Sequence, residues 1–372
     1  MSIEGTSLEP RGELIYVLSS QVGEVGGAAK ATRLLCEAWR ELGCRVRLFV
    51  TLPPEPATAC RLKERGIEVI VPHFNKGWRH NLPQKQIALQ LFTQVQRVRP
   101  ALIQSVSLSL EARCLLQLPR VASIYLWETT EALPHVKFVD KKIHKYLHRV
   151  TGLLAPSETV SRNIRATYNY HGKIERLPFW VEPPASRSNS LPWARCGNLL
   201  YVGRLDADKG FEYLFEALRH VQPRHPEARL TVCGGGDVAL VRRLAAGNPA
   251  IEIRGYVNAE EYERAIACCD AVVLPSLHEG YPLSLLEACA RSKPIIATEV
   301  GSIPEVFEGR PCALLVPPRD ADELAQAMAR LLGDDEAAYG RRCEDAVRLF
   351  EEISSPPAIL RRLLDIWTAR DG

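Results

Sequence analysis

Short apolar runs alternate along this chain with segments in which apolar residues recur at helical spacing. In the first half the runs are ELIYVLS, CRVRLFV, IEVIVP, ALIQSVS, RVASIYLW and TGLLAPS. In the second half they are NLLYVGRL, ARLTVCGGG, IEIRGY, AVVLPS, PIIATE and ALLVPP. Buried strands that alternate with amphipathic helices are typical of parallel sheets covered by helices on both faces. The pattern therefore predicts an α/β fold in which each half is a doubly wound domain.

The segment WVEPPASRSNSLPWARCGN separates the two halves and has no apolar period. Its prolines and serines are typical of a linker, which predicts an N-terminal domain over residues 1–185 and a C-terminal domain over residues 186–372. The final segment, SPPAILRRLLDIWTARD, starts with proline and has apolar residues at Ile359, Leu363 or Leu364, and Trp367. We expect a last helix that is long enough to pack back on the first domain.

Composition narrows the class of protein. With 372 residues, 46% apolar and 24% charged, the chain has the size and composition of a soluble two-domain protein. The polar, acidic start does not resemble a secretory signal, and no run approaches the roughly 18 apolar residues of a membrane-spanning helix. The eleven cysteines show no C-x-x-C spacing, so neither a zinc site nor a disulfide scaffold is indicated. We expect a cytoplasmic protein with reduced, mostly buried thiols.

Charge is distributed unevenly between the halves. Up to residue 186 there are 25 Lys and Arg against 16 Asp and Glu, and after it 22 against 28, which gives about +9 and about −6. The segment PHVKFVDKKIHKYLHRV, residues 134–150, combines an apolar helical stripe with many cations, and KGWRH follows the same basic trend at residues 76–80. A covering helix with a solvated basic face is the favoured interpretation. Peripheral contact with anionic lipid at the inner face of the membrane is the alternative, and no motif indicates nucleic acid.

A glycine-rich turn follows the first predicted strand, in SSQVGEVGGAAKATRLL. Gly23, Gly26 and Gly27 open a helix there, and such turns let backbone amides approach a phosphate or a sugar. The spacing is not G-x-G-x-x-G, so the dinucleotide fingerprint is absent. A turn needed only for tight packing is the alternative.

Two cations follow the first strand of the second half, in YVGRLDADKGFEYLFEAL. Arg204 offers a planar fork and Lys209 a point charge, which together suit a diphosphate, although solvated loop cations remain the alternative. We interpret the DAD repeats at residues 206–208 and 320–322 as chance rather than as a metal motif. Two further strands end in GGGD and RGYV, where backbone groups are placed to approach a nucleotide. Packing at the strand end is an equal alternative for RGYV.

The segment LHEGYPLSLLEACA, residues 277–290, contains two glutamates eight positions apart. Because Pro282 suits the first turn of a helix, Glu279 is expected in a loop and Glu287 inside the helix. The free amides near Leu283 and Ser284 then form an anion site between two carboxylates that accept hydrogen bonds from hydroxyls. A nucleoside diphosphate sugar has this arrangement of groups.

On these residues the chain resembles a known family. VGRLDADKG, EGYPLSLLEACA, PIIATEVGSIPEVF and ALLVPPRDADELAQAM look like the second domain of the retaining glycosyltransferases of family 4, whose GT-B fold has two facing Rossmann-like domains and an interdomain cleft. Glu279 and Glu287 match the E-x7-E pair of that family. The resemblance is strong over residues 198–330 and moderate at the glycine turn and at KIERLPFWVE, where the family usually has a motif like I-P-N-G-V-D.

The resemblance implies a role for each matching residue. Arg204 and Lys209 would bind the donor diphosphate, Glu279 the donor sugar and Glu287 the ribose, while Gly26 and Gly27 would close over the cleft. The expected donor-binding set also contains Gly203, Gly235, Tyr256, Val257, Gly280, Leu283 and Ser284. Many members carry a histidine where this chain has Trp127 and Glu128, so Glu128 is the candidate for that catalytic position.

These features predict a metal-independent, retaining glycosyltransferase, with a hexosyl donor expected. The nucleoside diphosphate sugar would be a substrate, no cofactor is expected, and the acceptor would be a glycan, a lipid-linked molecule or a small molecule. A nucleotide-sugar epimerase of the same fold and a non-catalytic sugar-nucleotide-binding protein are the alternatives.

Overall fold

The computed structural model describes residues 10–23, 27–72, 84–119, 122–128, 142–184 and 196–369. The chain forms two compact units, one from residues 1–180 and 356–372 and the other from residues 181–355. Each unit contains one sheet, in which the strand pairs are parallel, and helices lie between most successive strands. This architecture confirms the predicted α/β class with two doubly wound domains.

The first unit is built on a seven-stranded sheet in the order β3-β2-β1-β4-β5-β6-β7. Its strands are β1 (Leu14–Ser19), β2 (Arg45–Val50), β3 (Ile67–Ile70), β4 (Leu102–Val106), β5 (Ser123–Trp127), β6 (Gly152–Ala155) and β7 (Ile174–Arg176). Its helices are α1 (Gly27–Glu41), α2 (Pro56–Glu64), α3 (Gln84–Val98), α4 (Leu110–Leu116), α5 (Glu158–Tyr168) and α13 (Pro356–Thr368), with a 3₁₀ helix at Ile143–Arg149. Every residue of β1, β4 and β6 is buried, as expected for central strands covered on both faces.

Helix α13 packs on α1 of the first unit. The rings of Trp39 and Trp367 meet edge to face with their centroids 6.3 Å apart, and the indole N–H of Trp39 donates to the side-chain oxygen of Gln104 at 2.9 Å. Leu363 is fully buried, whereas Leu364 is half-buried. The spacing seen in the sequence therefore describes a real apolar face of this helix.

The second unit is built on a six-stranded sheet in the order β10-β9-β8-β11-β12-β13. Its strands are β8 (Asn198–Val202), β9 (Arg229–Cys233), β10 (Ile251–Gly255), β11 (Ala271–Leu274), β12 (Ile295–Thr298) and β13 (Ala313–Val316). Its helices are α6 (Phe211–Val221), α7 (Val238–Ala245), α8 (Ala259–Ala267), α9 (Leu283–Ala290), α10 (Ile303–Phe307), α11 (Ala321–Gly333) and α12 (Glu336–Ile353), with a 3₁₀ turn at Ala207–Lys209.

Each apolar run named from the sequence contains a strand, and the structure adds β7, which no such run indicated. The predicted basic helix over residues 134–150 is described only from residue 142 onward, where Ile143–Arg149 forms a 3₁₀ helix with Ile143 and Leu147 buried. The segment KGWRH lies outside the described residues.

Two further observations concern membrane-spanning helices and thiols. Within the described part of the chain, no helix has both the length and the apolar character needed to cross a bilayer. Eight of the eleven cysteines are buried, and Cys60, Cys196 and Cys268 are exposed. This distribution agrees with the expected mostly buried thiols.

Candidate functional site

The carboxyl ends of four neighbouring strands in the second unit carry most of the residues expected to bind a ligand. The strands β10, β9, β8 and β11 lie side by side and are parallel, so the loops that follow them leave the same edge of the sheet. The residues in question are Gly203, Arg204, Lys209, Gly235, Tyr256, Val257, Glu279, Gly280, Leu283, Ser284 and Glu287. This is the edge at which open parallel sheets bind ligands.

Lys209 and Glu279 form an ion pair across two of these loops. The Nζ atom of Lys209 lies 2.8 Å from Oε2 of Glu279 and also donates to the carbonyl of His278 at 3.2 Å. The amide of Leu277 donates to the carbonyl of Asp208 at 2.8 Å, which ties the loops together. Lys209 is only 7% exposed, so its charge is held in place and compensated by a carboxylate.

Arg204 differs from Lys209 in its exposure. Its side chain is 68% exposed and pairs with Asp206 at 2.6 Å, an interaction that solvent weakens. Its backbone is anchored, since the hydroxyl of Tyr201 donates to the carbonyl of Arg204 at 2.6 Å. Burial, and then the charge of Glu279, raises the pKa of Tyr201, so this hydroxyl remains a donor. The guanidinium can exchange this exposed ion pair for a contact with an anion while its loop stays fixed.

A glycine turn closes the end of β9 against the loop after β8. A Cβ on Gly234 would lie 1.7 Å from the carbonyl oxygen of Gly203, and φ at Gly234 is +154°. By contrast, a Cβ on Gly235 would meet only a ring carbon of Tyr256, at 3.9 Å. The turn therefore requires glycine at 234, while Gly235 borders open space beside a Tyr256 that is 64% exposed.

Helix α9 begins at Leu283, with Pro282 as the preceding cap residue and no side chain capping its amides. The amides of Leu285 and Leu286 turn back to the carbonyl of Pro282 at 3.1 and 3.2 Å. None of the described residues accepts a hydrogen bond from the amide of Ser284. Because a helix N-terminus carries about half a positive charge, this end of α9 suits an anion. Glu279 lies in the preceding loop and Glu287 inside the helix, as the sequence indicated.

Two glycines that the sequence did not single out hold the loop of Glu279. A Cβ on Gly301 would lie 1.5 Å from the carbonyl oxygen of Glu279, and one on Gly210 would lie 2.1 Å from that of Pro275. Both have positive φ, +57° and +67°, a region that side chains disfavour. In the sequence, each of these two residues is simply a glycine that follows a turn or a strand. The sequence does not reveal which backbone carbonyl each glycine contacts.

Glu287 is held by a tyrosine from α8. The hydroxyl of Tyr262 donates to Oε2 of Glu287 at 3.3 Å, and the guanidinium of Arg291 lies over the Tyr262 ring, 5.3 Å from its centroid. Tyr262 had no place in the sequence prediction because it contacts Glu287 only in the folded unit.

The first unit contains the remaining candidates. Gly27 is the exposed first residue of α1, while Gly26 lies outside the described residues. Glu128 follows β5 and is only 1% exposed, with its amide donating to the carbonyl of Leu154 at 2.9 Å. Trp127 belongs to the core, since its indole N–H donates to the carbonyl of Leu177 at 3.0 Å and its ring stacks on that of Trp180.

Across the described ranges, no group of three or more His, Cys, Asp or Glu side chains is placed to hold a metal ion. The positive charge available at the site comes from Lys209, Arg204 and the amides of α9.

Comparison with known proteins gives a consistent result for both units. The family described as Glycosyltransferase Family 4 matches residues 25–183, and the family described as Glycosyl transferases group 1 matches residues 197–334. An uncharacterized glycosyltransferase of Methanocaldococcus jannaschii is 31% identical over 141 residues, which are 37% of this chain and 36% of that protein. The chain spans about two fifths or less of the length of the curated relatives it matches.

Solved structures are similar over nearly the whole chain. A glycosyltransferase from Rickettsia africae has a TM-score of 0.77 at 17% identity, covering 96% of this chain and 98% of the other. Anabaena HepE, solved in complex with UDP and glucose, has a TM-score of 0.73 at 16% identity, covering 95% and 99%. At these identities the likeness shows the fold, and it confirms the expected GT-B class.

Proposed function

Because this chain belongs to glycosyltransferase family 4, we propose that it transfers a sugar from a nucleoside diphosphate sugar to an acceptor, with retention of the anomeric configuration. One observation carries the proposal. The Lys209–Glu279 ion pair joins the loop that follows β8 to the loop that follows β11. The loop of Glu279 leads directly into the N-terminus of α9, which no side chain caps. A cation, a carboxylate and a helix N-terminus are the groups needed to hold a diphosphate joined to a polyhydroxylated sugar.

The chemistry follows from where charge develops during transfer. As the bond between the sugar and the diphosphate breaks, negative charge builds on the leaving phosphate and positive charge on the sugar. Lys209, Arg204 and the N-terminus of α9 stabilise the leaving group. There the amide of Ser284 has no acceptor among the described residues, while that of Leu283 donates to the carbonyl of Tyr281 at 3.0 Å and would have to turn to the phosphate. Preorganised groups of this kind usually make the largest contribution to catalysis.

The other residues bind the rest of the donor. The carboxylate of Glu279 and the backbone of Gly280 bind hydroxyls of the sugar, and Glu287 binds those of the ribose. The base lies along Gly203, Gly235, Tyr256 and Val257, where Gly235 leaves open space and Tyr256 offers an exposed ring. The similar Anabaena structure, described with UDP and glucose, supports a nucleoside diphosphate hexose.

We propose further that no metal ion or additional cofactor is needed, because Lys209, Arg204 and the α9 amides provide the positive charge. On the family resemblance alone, we propose that Gly26, Gly27 and Glu128 also contact a substrate. The acceptor is a glycan, a lipid-linked molecule or a small molecule. Turnover that is unchanged by EDTA supports the metal independence, and turnover that needs added Mg²⁺ or Mn²⁺ opposes it.

A thermal-shift panel of UDP, GDP and ADP sugars tests the donor class, since a ligand that binds only the folded state raises its stability. We expect one base to raise the unfolding midpoint of the wild type and to have a much smaller effect on Lys209→Ala. NMR of the donor then separates the reaction classes. Release of the nucleoside diphosphate supports transfer, a changed sugar still attached to the nucleotide indicates an epimerase, and binding without turnover indicates a non-catalytic protein.

We also propose a cytoplasmic location with peripheral contact to anionic membrane through the first unit. Leu89 and Phe92 of α3 are 65% and 37% exposed, and the 3₁₀ helix carries exposed Lys145, His144 and His148. Exposed apolar side chains and exposed basic side chains are the groups that bind an anionic lipid surface. Sedimentation with phosphatidylserine vesicles but not with phosphatidylcholine vesicles is the expected result, and equal binding to both vesicles, or none, contradicts it.

A further inference from the structure

The carboxylate of Glu287 is held from a different helix, by Tyr262 of α8. The Tyr262 hydroxyl donates to Oε2 of Glu287 at 3.3 Å. This hydrogen bond fixes one oxygen of a group that has about four lone-pair positions. Glu287 therefore presents its carboxylate in one orientation rather than in several.

The ring of Tyr262 is itself fixed by Arg291. The guanidinium of Arg291 lies 5.3 Å from the ring centroid, and its Nε atom donates to both carboxylate oxygens of Glu263, at 2.9 and 3.1 Å. One terminal nitrogen of Arg291 also donates to the carbonyl of Glu287 at 3.1 Å. These contacts thus link α8, which carries Tyr262 and Glu263, to the helix α9 and the residue that caps its end, which carry Glu287 and Arg291.

The hydroxyl of Tyr262 stays protonated over the working range of pH. Burial, followed by the charge of Glu287, raises the pKa of Tyr262 well above its ordinary value. A neutral phenol next to a carboxylate acts as a hydrogen-bond donor to it. The arrangement is therefore a stable donor–acceptor pair.

We propose that Tyr262 is the positioning residue for ribose recognition, so that the Tyr262–Glu287 pair makes this protein prefer ribonucleotides over 2′-deoxyribonucleotides. This inference rests on the proposed function, in which Glu287 binds the ribose hydroxyls. A carboxylate with a fixed plane loses less rotational freedom when it accepts two vicinal hydroxyls, and the hydrogen bond from Tyr262 restricts that plane. Tyr262 does not contact the ligand and acts through Glu287.

The conservative variant Tyr262→Phe tests the idea, because it keeps the ring beneath Arg291 and removes only the hydroxyl. Tyr339→Phe is the matched control. The Tyr339 hydroxyl donates to the carbonyl of Asp270 at 2.8 Å, so this variant also loses a phenolic hydrogen bond in the second unit. Thermal unfolding of both variants shows whether each one folds.

The measurement is the affinity for UDP, GDP and ADP, and for the 2′-deoxy counterpart of the one that binds, by calorimetry. In Tyr262→Phe we expect the ribonucleotide affinity to fall about three- to tenfold, the size of one lost hydrogen bond. The 2′-deoxyribonucleotide affinity should change less than twofold, so the preference for ribose shrinks. Tyr339→Phe should leave the preference intact, and Glu287→Gln should lose it.

Three results overturn the inference. In the first, Tyr262→Phe weakens ribo- and deoxyribonucleotides equally. In the second, the variant keeps the full preference for ribose. In the third, Tyr339→Phe loses as much of the preference as Tyr262→Phe. If the wild type binds none of the three diphosphates, the proposed function fails and the inference fails with it. If the wild type binds one of them and any of the three results above is found, the inference alone fails.

Discussion

The backbone of Gly301 packs against the carbonyl of Glu279 so closely that a Cβ atom at position 301 would lie 1.5 Å from that oxygen. Gly301 follows β12 and Glu279 follows β11, and these strands are neighbours in the sheet. The loop that carries Glu279 is therefore seated against the next loop of the same edge. Its position depends on the absence of a side chain at residue 301.

Replacing Gly301 by alanine should displace the loop of Glu279. Alanine at φ +57° costs roughly 1–2 kcal/mol on its own, and the clash adds to that. We expect a lower unfolding midpoint and a loss of donor binding, measured by thermal unfolding and calorimetry. Gly309→Ala is the control, because Gly309 has φ +73° but no heavy atom within 4 Å of its Cβ position. Normal donor affinity in Gly301→Ala would contradict the account.

Single replacement of Lys209 or Arg204 by alanine should slow turnover. Each removes a group that stabilises the leaving diphosphate, a loss we estimate at about 2.7–4 kcal/mol by analogy with other charge-stabilising donors. The expected result is a fall of about 10²–10³ in kcat, measured as release of nucleoside diphosphate. Arg348→Ala, at an exposed arginine of α12, should keep the wild-type rate. Near-normal turnover in both site variants would disprove these roles.

Trp367 should anchor α13 to the first unit. It is 2% exposed and meets Trp39 edge to face, and truncating a buried tryptophan costs about 3–5 kcal/mol. We expect Trp367→Ala to lower the unfolding midpoint and to make the C-terminal helix sensitive to protease. Arg362→Ala, on the exposed side of the same helix, should have little effect. Equal behaviour of the two variants would show that α13 is not held by this contact.

Alkaline pH should destabilise the protein through its buried thiols. Burial raises the pKa of Cys269 from 9.0 to about 12. The folded state therefore keeps the proton while the unfolded state loses it, so stability falls as the pH rises from about 9 toward 12 by about 1.4 kcal/mol per pH unit for this group. Thermal unfolding between pH 7 and 10.5 measures the trend. Cys269→Ala should show a shallower fall, and an unchanged slope would rule out this thiol as a cause.

The sequence predicted strand positions well and contacts between distant residues poorly. The apolar runs located twelve strands because buried central strands are continuous in Val, Ile and Leu. Strand β7 was missed since Ile174–Arg176 contains a single apolar residue. Pro282 precedes the helix as its cap residue instead of occupying its first turn, a shift of the kind that local propensity does not resolve.

The sequence revealed the local motifs of the site but not the residues that hold those motifs in position. Two short motifs, each spaced as a strand, a loop and a helix, contain Arg204 and Lys209 in one case and Glu279 and Glu287 in the other. Tyr262 lies 25 positions from Glu287, so nothing in the sequence connects the two. Such contacts arise from tertiary packing, which a single sequence does not record.

The most direct test of the account is calorimetric titration of UDP, GDP and ADP into the wild type, Lys209→Ala and Arg348→Ala. The account predicts that one diphosphate binds the wild type and Arg348→Ala with equal affinity, and binds Lys209→Ala at least tenfold more weakly. It would be contradicted if no diphosphate bound the wild type, or if Lys209→Ala bound as tightly as the wild type.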